Sequence, residues 1–189
     1  MEEMQLEELV NEIALAQLRY EGLAFDEVRS HSLGLPASEE AILSLEARLG
    51  ASLPADYRAF LELYDGWQNF HGDGKLLATG EQDARWVAKK MRYWTDLWDS
   101  EDPNPFARGA LPIMLGESLH YFVVLDPTRR GPDGTAAIVE YDGMQERRTL
   151  ASFRELLQGE LNVLQRLIKR ELHGLPEDDD EDAPAGSQS

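Results

Sequence analysis

Over the first twenty positions apolar residues recur every three to four places: Leu6, Leu9, Val10, Ile13, Ala14 and Leu18 share one face of a helix spanning residues 3–20. Two shorter segments repeat the pattern. In residues 35–50, LPASEEAILSLEARLG, Ser38 stands where an N-cap belongs, Glu39 and Glu40 follow in the first turn, and Gly50 ends the helix. In residues 53–67, LPADYRAFLELYDGW, the rings and aliphatics Tyr57, Phe60, Leu61 and Tyr64 fall at i, i+3, i+4 and i+7. Pro54 suits the first turn of this helix, and Gly66 suits the left-handed residue that closes one. Then the period changes. Residues 75–79 read as a short strand, residues 82–97 as a helix with Val87, Met91 and Trp94 on one side, and residues 101–108 as a Pro-rich loop. Strand-like runs at 110–115, 120–125 and 136–141 alternate with turn residues, and residues 147–150 add a fourth. A last helix opens on Ser152 with Glu155 three places later, the spacing of a capping box. It carries Phe153, Leu156, Leu157, Leu161, Leu164, Leu167, Ile168 and Leu172 before Gly174 and Pro176 stop it. Consecutive strands with short connections pair antiparallel. The expected fold is therefore α+β: a single domain with a mostly antiparallel sheet flanked by N-terminal and C-terminal helices.

Charge changes the picture next. The 189 residues hold 36 acidic and 18 basic side chains, a net charge of −18. Six of the acids lie in residues 177–182, EDDDED, which with the Pro, Ala, Gly and Ser that follow reads as a disordered tail. Removing them leaves 30 acids against 18 bases, so the remainder is still at −12. A field of that sign repels nucleic acid and anionic membrane surfaces and draws basic proteins; equally, it serves solubility alone. With no cysteine, disulfides, thiolate nucleophiles and cysteine-ligated metals are excluded. The N-terminus is acidic where a secretory signal is basic, and no run of 18 apolar residues occurs, so a soluble cytoplasmic protein is expected.

Candidate chemistry is sparse. His31, His71, His120 and His173 lie far apart, outside the spacings of zinc sites. His71 and Asp73 in HGD offer two ligands with no partners for the rest, and Glu117 to His120 has the form ExxH at a turn rather than on a helix. Gly72, Gly74 and Gly80 lack the Lys-Ser or Lys-Thr of a phosphate loop. Carboxylate pairs such as Asp96 and Asp99 are expected by chance in so acidic a chain. No catalytic constellation emerges, and neither cofactor nor metal is expected.

Taken together, the tandem capped helices carry a pattern: a leading Pro36, a helix bearing Glu46 and ending in Gly50, then Leu53-Pro54, an aromatic, Phe60-Leu61 and Asp65-Gly66. Downstream come Leu111-Pro112-Ile113, HYFVVLD at 120–126, Gly131-Pro132, AAIVEYD at 136–142 and ASFRELL at 151–157. This ordered set resembles the SUKH superfamily, the Smi/Knr-type domain, over about residues 35–160. It departs at the central turn, where relatives often carry Asn-Gly, and in a Trp-rich insert at about 81–105. The resemblance divides the chain into an N-terminal helix and linker (1–34), a SUKH-like domain (35–174) and the acidic tail (175–189). It implies a non-enzymatic binding protein. In bacteria this means an immunity protein that binds and blocks a polymorphic toxin, often a nuclease; the alternative is an intracellular scaffold or regulator with an endogenous partner.

The insert is the candidate partner surface. Trp86, Tyr93, Trp94 and Trp98 crowd into 13 residues, followed by acids. Rings on more than one side of a helix are either core or interface anchors. The candidate partner-binding residues are Trp94, Asp96, Trp98, Asp99, Glu101 and Asp102, with Trp67 and Phe70, just past Gly66, carrying the same ambiguity. A basic toxin domain is the expected partner.

Overall fold

A computed structural model describes residues 5–99, 101, 103–116, 118 and 120–174. The acidic tail, Glu117 of the ExxH motif, Asp102 and Pro176 lie outside the described residues. Five helices and six strands follow one another as α1 (Leu6–Ala24), α2 (Glu39–Leu49), α3 (Ala55–Leu63), β1 (Trp67–His71), β2 (Gly74–Leu76), α4 (Arg85–Leu97), β3 (Leu111–Leu115), β4 (Tyr121–Arg130), β5 (Ala136–Asp142), β6 (Gln145–Leu150) and α5 (Phe153–His173). The sheet is an antiparallel meander in sequence order, β1-β2-β3-β4-β5-β6. This is the α+β arrangement expected, with α1 and α5 packed together across one face.

Both faces of the sheet are covered. One carries Trp67, Phe70, Leu76, Ile113, Val123 and Ile138 against α1, α2, α3 and α5. The other carries Phe122, Val124, Val139 and Tyr141 against α4. Double coverage explains why β4 and β5 read as continuous apolar runs rather than as alternation. α4, in the Trp-rich stretch, is thus the lid of the second core.

The expected caps form at α2, where the Ser38 hydroxyl accepts from Ala41 N–H and Gly50 takes φ +70°. At α5, Ser152 accepts from Glu155 N–H, while the Glu155 carboxylate takes Ala151 N–H, one residue before the cap. At α3 the reading needs correction. Pro54 is the N-cap, and the helix ends at Leu63 with Tyr64 extended, so Gly66 does not close it. Gly66 sits at φ +94° in the turn into β1, where a Cβ would meet Ala78 N at 2.9 Å. Close backbone approach is its reason. Gly34 meets the same turn from the other side; a Cβ there would lie 2.1 Å from Asp65 O.

α1 also runs differently from its pattern. Leu18 is 51% exposed, and the buried face continues instead through Gln17 and Glu21. Both have partners, as buried polar groups require. Gln17 donates to Phe70 O at 2.8 Å, and the Glu21 carboxylate accepts from Arg29 N at 2.6 Å and Arg29 Nε at 2.7 Å. These contacts tie α1 and the following linker to the β1–β2 hairpin.

Candidate functional site

The signature residues prove to be structural pins. Glu46 on α2 accepts Leu53 N–H at 3.0 Å and so holds the Leu-Pro turn that starts α3, while Arg58 on α3 reaches Glu39 at 2.6 Å. Asp65 accepts from both Thr79 N, at 2.6 Å, and Thr79 Oγ1, at 2.8 Å, docking the Asp-Gly turn onto the chain that leads to α4. None of these groups is left over for a ligand.

α4 is held by its rings. Trp94 packs 5.4 Å from Phe122, Phe122 stacks on Tyr141 at 5.2 Å, and Trp98 meets Tyr141 edge-on at 5.9 Å. Trp94 is 3% exposed, and Trp67 and Phe70, on the opposite face of the sheet, are 0% and 1% exposed. These three rings are core: each lies between the sheet and a helix layer, and none meets solvent as a surface anchor. The remaining candidates separate cleanly. Asp96, Asp99 and Glu101 are exposed around the end of α4, and Trp98 is half-buried among them. Sequence reasoning missed two exposed apolar neighbours, Leu97 and, as an anchor, Tyr93. Their signal was available, since both lie off the Val87–Met91–Trp94 stripe.

The first part of α4 carries the opposite charge. Arg85, Lys89 and Arg92 are exposed, and Lys90 lies 5.7 Å from the Tyr93 ring centre. The helix surface is therefore basic at its start and acidic at its end.

His71 and Asp73 do not converge on a metal. The His71 Nδ1 hydrogen-bonds Glu160 on α5 at 2.6 Å, whereas the Asp73 carboxylate accepts Ser118 N–H at 2.8 Å. Among the described residues no cluster of three or more metal-ligating side chains occurs, and no helix is long and apolar enough to cross a membrane. The hydrogen bond to Glu160 raises the His71 pKa, burial opposes it, and the fields of Glu140 and Asp73 add to the rise. A raised folded-state pKa stabilises the fold below the unfolded value, about 6.5, and that contribution is lost as pH rises through the folded value. Wild type should therefore exceed His71→Gln in stability at mildly acidic pH, with the gap closing as pH rises above neutral. Chemical denaturation across that range checks it; a gap that widens with pH contradicts the pairing.

A family model described as SMI1 / KNR4 family (SUKH-1) matches residues 36–159. No curated protein matches the chain. The matched span runs from the loop before α2 to the first turns of α5, and it includes the insert bearing α4.

Proposed function

The chain belongs to the SMI1/KNR4 family (SUKH-1), and from that premise we propose that it is a non-enzymatic binding protein: an immunity protein that neutralises a polymorphic toxin by direct contact. The observation that carries this reading is the end of α4, where Tyr93 and Leu97, 46% and 48% exposed, stand beside the exposed acids Asp96, Asp99 and Glu101. Apolar anchors within a charged rim are the anatomy of a specific protein interface. A basic partner, such as a nuclease domain, meets the acids, and the cations at the start of α4 repel it. The interface accordingly has a preferred orientation as well as a sign. Trp98 supports the acidic rim from beneath through its contact with Tyr141.

Co-expression with a toxin domain, should the neighbouring genes encode one, tests the reading. Wild type should restore survival, and a variant with Asp96, Asp99, Glu101 and Asp102 neutralised should restore it less well at equal protein level. Cell death despite abundant folded protein contradicts the immunity role and points to an endogenous partner.

A further inference from the structure

A cleft of about 650 Å³ opens on the face of the sheet opposite α4, between β1, β4, β5, β6 and α5. Its apolar side is formed by Val163 and the Tyr121 ring, both half-buried, backed by the core residues Phe70, Met114 and Leu156. Its polar side inverts the charge of the chain: the lining basic residues are Arg147, Arg148, Arg166 and His71, and the lining acids are only Glu140 and Glu160. Both acids are already engaged. Glu140 accepts the Tyr121 hydroxyl at 2.7 Å and Arg148 Nε at 2.7 Å, and Glu160 holds His71. Arg147 and Arg166 are less committed. Arg147 approaches Asp142 only at 4.0 Å, and Arg166 makes no hydrogen bond or ion pair among the described residues. What remains is a surplus of guanidinium donors beside an apolar wall, in a protein of net charge −18.

We propose that this cleft binds a phosphate monoester carrying an apolar group, with Arg166 and Arg147 grasping the phosphoryl oxygens and the half-buried Tyr121 ring and Val163 receiving the ester. A guanidinium offers paired donors in a fork that matches phosphoryl oxygens, and the two guanidiniums not held by the lining acids, Arg147 and Arg166, match the charge of a dianion. Arg148 is held in place by Glu140 and Glu155, so it adds its field without having to be ordered on binding.

Phenyl phosphate is the probe, titrated calorimetrically and by amide NMR, with inorganic phosphate and benzoate in parallel. Phenyl phosphate should bind more tightly than either, with shifts centred on Asn162 and its neighbours. Arg166→Ala and Arg147→Ala, both at exposed positions that leave the fold intact, should each weaken it ~10-fold, the scale of one charge-assisted hydrogen bond. Arg92→Ala, on α4 across the sheet, should leave it unchanged. The assignment is overturned by no binding at millimolar phenyl phosphate, by equal affinity for inorganic phosphate or benzoate, or by an equal loss in Arg92→Ala.

Discussion

Replacing Leu61 by alanine is expected to cost ~2–5 kcal/mol of stability, the range for truncating a core leucine whose site cannot collapse. Leu61 is 0% exposed and belongs, with Tyr57, Phe60 and Phe153, to the core beneath α3. The surrounding rings are fixed against one another, Phe153 lying 4.9 Å from Tyr57 and 5.1 Å from Phe60, so the void would persist. Rings locked this way have little freedom to fill a gap. Denaturant unfolding reads the loss directly. A variant as stable as wild type would mean that α3 does not pack as described.

Arg108→Ala should be comparably damaging, at about 3 kcal/mol, near the lower end for breaking a buried ion pair. Asp126 is 0% exposed and receives Arg108 Nη2 at 2.9 Å, along with Thr128 N and Thr128 Oγ1 at 2.9 and 2.6 Å. Removing the guanidinium leaves a carboxylate in the interior with only neutral donors. Arg108 itself keeps 27% of its side-chain surface in solvent, which holds the cost to the low end. The double variant Arg108→Ala/Asp126→Ala should recover part of the loss, because it removes the stranded charge; a double variant worse than the sum of the singles contradicts this account.

Where local chemistry governs, the sequence was legible. Ser38, Gly50 and Ser152 cap the helices their spacing indicated, and the apolar runs at 110–115, 120–125 and 136–141 became β3, β4 and β5. Local rules fell short where the backbone departs from period. In β1, Asn69 takes φ +53° at an irregular register, so Trp67 and Phe70, three apart, both point into the first core. No alternation marks such a strand, and its two rings looked available to a partner. β4 continues to Arg130 through Pro127, past a register shift between Asp126 and Arg130 that the apolar pattern could not reveal. β6 is an edge strand with Leu150 as its only buried residue among five exposed ones. Glu140 and Arg148, and His71 and Glu160, stand 8 and 89 residues apart; the wider pair exists only once β1 meets α5, so no spacing announced the cleft.

The end of α4 is the proposed partner surface, and kinetic binding to the proposed toxin partner at low and high salt tests it most directly. Neutralising Asp96, Asp99, Glu101 and Asp102 together should slow association ~10-fold at low salt and flatten its salt dependence, because rim charges act on encounter. Tyr93→Ala or Leu97→Ala should leave association nearly unchanged and speed dissociation ~30-fold where the residue is a central anchor. Trp98→Ala should also speed dissociation, with some loss of stability from its contact with Tyr141. If association ignores both salt and the four neutralisations, and dissociation ignores Tyr93, Leu97 and Trp98, the partner does not bind at the end of α4.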